Sequence, residues 1–189
     1  MKDLIKKRIE ESIKVKESLC KAELDNIEKA AGTIVKSLKA GGKLLVFGNG
    51  GSAADSEHIA AELVGRFKKE RRGLAAIALT ANTSIITAIA NDYGYDVTFS
   101  RQIEALGKSG DVALGISTSG NSKNVIEAVK KAKAIGMKTI SLTASGGGKL
   151  KNESDISIVV DSKDTPRIQE SHILIGHILC ELVEEEFVG

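Results

Sequence analysis

The sequence predicts an α/β protein: a three-layer α/β/α sandwich around a five-stranded parallel sheet, preceded by a helical arm. Three observations carry that expectation. Five short apolar runs end in turn residues, helical stretches lie between them, and the first 40 residues hold a charged helical pattern without a strand-like run. Strands that alternate with helices call for a parallel sheet covered on both faces. At 189 residues the chain reads as a single domain, with residues 1–40 as the arm and 41–189 as the core.

From Lys2 to about Lys39, apolar residues such as Leu4, Ile9, Ile13, Leu19, Ile27, Ile34 and Leu38 recur every three or four positions. This predicts two amphipathic helices or one broken one, with an apolar stripe able to cover a neighbouring copy or to fold back on the core. After Gly41 and Gly42 the strands are expected at 43–48, 74–80, 111–117, 138–144 and 155–161. Helices are expected at about 52–68, 83–91, 97–107, 122–135 and 166–186. Pro166, the only proline, sits where a first helical turn accepts it.

Composition narrows the partners. A net charge of +2 gives no pull toward nucleic acid or anionic lipid, and 3% aromatic residues without Trp supply little for base stacking. Neither nucleic acid nor membrane is an expected partner. No segment approaches the roughly 18 apolar residues of a membrane span, and "MKDLIKKRIEESIKVKES" lacks the apolar centre of a signal peptide. A cytoplasmic location follows as the expectation, with Cys20 and Cys180 as reduced core thiols.

In folds of this class ligands sit beyond the carboxyl ends of the strands. The first such loop, Gly48, Asn49, Gly50, Gly51, Ser52 and Ala53, matches the relaxed dinucleotide fingerprint GxGxxA. A nicotinamide site also wants an acid at the end of the second strand, where this chain has Thr80, Ala81 and Asn82. The second loop crowds Ser117, Thr118, Ser119 and Ser122 around Gly120 at a helix start. One helix cap needs one hydroxyl, so four are in excess. Neutral donors on a helix N-terminus suit a phosphate monoester.

All three histidines fall on two helices. His58 and Glu62 are four residues apart and share a face, which fits either a metal such as zinc or an acid/base pair. Gln169, His172 and His177 interrupt the otherwise apolar surface of the last helix. Gln169 and His177 lie eight residues apart, about 12 Å along a straight helix. They reach one site only if the helix breaks near Gln169 or if they come from different copies of the chain.

Taken together, "VFGNGGSAADSEHIAAELVGRF", "AIANDYGYD", "GDVALGISTSGNSKNVIEA" and "RIQESHILIGHILCELVEE" resemble sugar isomerase (SIS) domains of flavodoxin-like architecture, and specifically the phosphoheptose isomerases. The likeness spans nearly the whole chain. It implies a homotetramer with intersubunit active sites that converts D-sedoheptulose 7-phosphate into D-glycero-D-manno-heptose 7-phosphate through an enediol. By the same resemblance Glu62 is the base and His177 its acid/base partner. Ser117, Thr118, Ser119 and Ser122 hold the phosphate, Asn49, Gly50, Gly51, Ser52 and Gln169 line the substrate, and Arg66 and Asp92 occupy further site positions. Arg66 could otherwise serve a surface ion pair, and Asp92 a turn. The resemblance also implies one zinc ion per subunit on His58, Glu62, Gln169 and His177. Pro166 departs from relatives that carry Asp there. Two rival readings are a non-catalytic relative that binds the replication initiator DnaA, and a sugar-phosphate sensor. Neither needs the Glu62 and His177 pair.

Overall fold

The computed structural model describes residues 1–188. The arm is two helices, α1 (Lys2–Ala22) and α2 (Leu24–Lys39), broken at Glu23, whose backbone (φ −123°, ψ 4°) leaves the helical range. Then follow β1 (Leu44–Gly48), α3 (Gly51–Val64), β2 (Ala76–Ala78), α4 (Thr83–Tyr93), a 3₁₀ turn (Tyr95–Val97) and α5 (Thr98–Leu106). The chain continues through β3 (Val112–Ile116), α6 (Lys123–Ala134), β4 (Lys138–Ala144), α7 (Leu150–Glu153), β5 (Ile156–Val160) and α8 (Thr165–Glu185). The five strands are all parallel, in the order β2-β1-β3-β4-β5. That is the flavodoxin-like order, whose switch point lies between β1 and β3.

Alternation along the strands builds two cores. Leu44 and Val46 of β1, with Val112, Leu114 and Ile116 of β3, face a layer made by α2, α3 and α8. Leu45, Phe47 and Ala113 face the opposite way, onto Phe99 and Ile103 of α5 and Val125 and Val129 of α6. Each Val, Leu, Ile or Phe side chain among them, fully buried, is worth roughly 1.5–3 kcal/mol relative to exposure.

Two expected elements prove shorter. The helix expected at 52–68 ends at Val64, because Gly65 (φ −79°, ψ −114°) turns the chain away. The strand expected at 74–80 pairs only over Ala76–Ala78. Residues before it are spent on closing α3: Leu74 N–H donates to the Leu63 carbonyl, and Arg71 caps the end of that helix. Cys20 is a further correction. It is exposed on α1 rather than part of the core, whereas Cys180 is buried with its thiol pushed up to about 12 by burial; both are free. Among the described residues no helix is long and apolar enough to cross a membrane.

His172 is a buried core histidine. Its Nε2 lies 3.1 Å from the Thr143 carbonyl, which can only accept, so Nε2 carries the proton and α8 is tied to the end of β4. Burial pushes this imidazole down to about 4, against the smaller opposing effect of the Thr143 bond. Its folded value lies below the unfolded one, so the contribution is complete above about pH 6.5 and is lost as pH falls toward 4, by about 3 kcal/mol in all. Thermal melts between pH 7.5 and 4 are expected to show this loss. His172→Gln, which does not titrate, should flatten that part of the profile.

Candidate active site

The two strand-end loops meet at the switch point. After β1 the chain turns at Gly50 (φ 59°, ψ −120°) into α3. Gly48 is required by space: a Cβ there would stand 2.7 Å from the Ser52 Cβ and 2.9 Å from the Ile116 carbonyl oxygen. Ser52 is buried beneath the loop. Asn49 exchanges two 2.9 Å amide hydrogen bonds with Asn124 of α6 and accepts a third, also 2.9 Å, from the Tyr95 hydroxyl. These bonds join the first loop to the start of the helix that follows the second. Asn124 and Tyr95 escaped the sequence reading. The available signals were a polar residue on an otherwise core-facing turn, and one of only two tyrosines.

The serine-rich loop is held together internally. Ser117 Oγ lies 3.0 Å from Ser122 Oγ and 3.5 Å from Ser119 Oγ, and the Asn121 N–H donates to Ser119 Oγ at 3.1 Å. Thr118 is half-buried beside them. Ser122 occupies the N-cap of α6, yet no side chain there makes a capping hydrogen bond. The hydroxyls are therefore not spent on closing the helix, whose first N–H groups remain a cradle for an anion. Gly120 (φ 63°) abuts Gly147 and Gly148, and the Leu150 N–H donates to its carbonyl at 2.9 Å. The 145–148 segment thus buttresses the loop from below.

The second group lies further along α3. His58 Nε2 stands 3.1 Å from Glu62 Oε1 and 3.0 Å from His177 Nε2. One nitrogen is thus in reach of both a carboxylate and a second imidazole, so a proton at that point can change partners with little motion. His58 is about half exposed and Glu62 about a quarter. These three side chains converge because α3 and α8 run side by side in the same direction: Gly51 meets Gln169, Ile59 meets Gly176, and His58 meets His177.

That alignment separates other expected partners. Helix α8 is unbroken from Thr165 to Glu185, so Gln169 stays about 12 Å from His177 along the axis. The four-residue zinc set is therefore not gathered within one chain: His58, Glu62 and His177 are together, and Gln169 is not. Two imidazoles and a carboxylate are donor types that suit zinc. Among the described residues, however, no group of three or more His, Cys, Asp or Glu is arranged to hold a metal ion. The two Nε2 atoms touch one another instead. Arg66 is exposed in a loose 3.9 Å ion pair with Glu70, and Asp92 is exposed and accepts from Asn91; neither joins the cluster. Asp55, unremarked in the sequence, has a buried, unpartnered Oδ2, and burial pushes its carboxyl up to about 6 against the opposing charge of His58.

The SIS domain family model matches residues 9–144, which places the chain in the sugar isomerase class of α/β domains. Close relatives narrow the class. A phosphoheptose isomerase of Thermodesulfovibrio yellowstonii is 55% identical over 185 residues, covering 98% of this chain and 92% of that one. The solved phosphoheptose isomerase of Neisseria gonorrhoeae superposes with a TM-score of 0.92 at 45% identity, covering 97% of this chain and 98% of that one. The one from Francisella tularensis gives 0.93 at 41% identity, with 97% of both chains covered. The chain belongs to the phosphoheptose isomerase family and is an isomerase of sugar phosphates.

Gly120 supplies a test of the buttressed loop. A Cβ there would fall 2.1 Å from the Gly147 carbonyl oxygen, which is backbone and cannot swing aside, and φ is positive as well. Gly120→Ala is expected to cost about 1–3 kcal/mol of stability and to raise KM for the phosphorylated substrate. Melting curves and steady-state kinetics check both.

Proposed function

We propose that the enzyme interconverts D-sedoheptulose 7-phosphate and D-glycero-D-manno-heptose 7-phosphate in the cytoplasm, in active sites shared between the subunits of a homotetramer. The observation that carries this reading is the separation of two half-sites on one chain. The loop around Ser52, bonded through Asn49 to the start of α6, lies ten residues from Glu62 on α3, about 15 Å along the axis. That is further than C1 lies from the phosphate of one sugar phosphate. A complete site then takes Ser117, Thr118, Ser119 and Ser122 with Asn49, Gly50, Gly51, Ser52 and Gln169 from one subunit, and Glu62 with His177 from another. Exposed apolar faces support association: Leu4, Ile5, Ile9 and Ile13 line α1, and α4 buries none of its residues. Arg66 and Asp92, exposed in one chain, are then available to complete a neighbour's site.

The chemistry follows from the acid/base pair. The Glu62 carboxylate takes a proton from C1 of the open-chain ketose while the C2 carbonyl oxygen is protonated, which yields an enediol. Glu62 returns a proton to C2 as the O1 hydroxyl loses its own, so an aldose forms without net change in atoms. His177 exchanges the oxygen-bound proton, and the serine hydroxyls with the α6 N-terminus hold the phosphate so that C1 and C2 meet the carboxylate. Bound zinc, held by His58, Glu62 and His177 with the partner subunit's Gln169, would polarise the substrate oxygens.

Glu62→Gln is expected to abolish turnover while light scattering still reports a tetramer; full activity would remove Glu62 as base. Hybrids of Glu62→Gln subunits with Ser119→Ala/Ser122→Ala subunits should regain activity, because some sites then combine two intact halves. Absence of any regain would argue for sites within one chain. Metal analysis of protein purified without chelator should find zinc, and chelation should lower activity.

A further inference from the structure

A buried ion pair lies directly behind the proton-transfer cluster. Arg71 and Glu184 are 0% and 1% exposed, with Arg71 Nε 3.1 Å from Glu184 Oε1 in a charge contact that lacks hydrogen-bond alignment. Burial drives the Glu184 carboxyl upward, but the backbone N–H groups of Lys68, Phe67 and Lys69, at 2.6, 2.8 and 2.8 Å, outweigh it together with Arg71, and the group stays below the usual carboxylate range. Arg71 spends its guanidinium on carbonyls at the end of α3: those of Leu63 at 2.9 Å, Gly65 at 3.0 Å and Glu62 itself at 2.9 Å. The loop so gathered carries Phe67, whose ring lies 5.5 Å from that of His177. His177 is thereby flanked by two rings, with His58 at 5.1 Å on its other contact.

We propose that Phe67, Arg71 and Glu184 are positioning residues for the isomerisation, acting through His177 and Glu62. Each touches a different part of the cluster's support. Glu184 stands seven residues beyond His177, two turns along the same helix, and its three N–H contacts fix the loop that delivers Phe67. Phe67 limits the tilt of the His177 imidazole, and Arg71 fixes the backbone from which the Glu62 side chain departs. A buried pair used only for loop closure would not need its loop to end in a ring against the acid/base histidine. Nor would it need a guanidinium on the carbonyl of the base. Effects of this kind fall on the reacting geometry more than on substrate affinity, since the phosphate is held elsewhere.

The inference rests on Glu62 and His177 as the acid/base pair, so Glu62→Gln is measured alongside. Phe67→Leu fills similar space without a ring face, and Phe67→Tyr keeps the ring. Phe67→Leu is expected to lower kcat by about ten-fold with KM changed less than about two-fold, and Phe67→Tyr to restore most of kcat. Arg71→Lys, which keeps the charge beside Glu184 and loses the fork of carbonyl contacts, should show the same split. Wild-type kcat in Phe67→Leu, equal losses in the Leu and Tyr variants, or a kcat loss matched by loss of folded tetramer would overturn the proposal. An active Glu62→Gln would instead overturn the assignment on which it rests.

Discussion

The parallel contact between α3 and α8 is the constraint on which the site depends. Gly176 permits it, since a Cβ there would meet Ile59 Cδ1 at 2.8 Å. With the two helices in register, residues about 118 apart in sequence face one another down their length: glycine and glutamine at the top, two histidines further down. Nothing local to either helix brings a carboxylate and two imidazoles to within 3.1 Å; the pairing does. A slip of one turn would carry His177 about 5 Å past His58 and leave Glu62 a lone surface acid. The wide apolar face that α8 turns to the core, including Ile168, Ile175, Leu179 and Val183, holds that register.

The same contact explains why the serine loop and the cluster of His58, Glu62 and His177 lie apart on one chain. Helix α3 starts at the carboxyl edge of the sheet and runs back along it, so whatever sits at its first turn belongs to the switch point, and whatever sits at its third does not. Ser52 and Glu62 are on one helix and in different places. Because α8 is straight, Gln169 follows Gly51 and His177 follows His58. Helix α8 is unbroken, so Gln169 and His177 stay apart within one chain.

Much of this was legible in the chain itself. The five strands fall within their apolar runs, and the serine loop and the His58 and Glu62 spacing were visible because hydroxyl excess and a four-residue interval are local patterns. What escaped was non-local. The loop after α3 is closed by Arg71 and Glu184, 113 positions apart by number, and no window of sequence shows that pair. Asn49 and Asn124 are 75 positions apart and likewise unremarkable alone. His172 and His177 looked equivalent on the sequence of α8. Burial separates them: one is locked on a strand carbonyl, the other is half-buried with its Nε2 against that of His58.

The brevity of β2 bears on association through the edge of the sheet. A chain that exposes Ile5, Ile9 and Ile13 on α1 is at risk of associating wrongly, and an open sheet edge is the usual template for that. Here one edge strand spans only three residues, and the other, β5, lies against α1 and α2. The exposed large apolar side chains lie mostly on helices, with Ile77 of the short β2 as an exception. The route to strand-by-strand aggregation stays short at one edge and covered at the other.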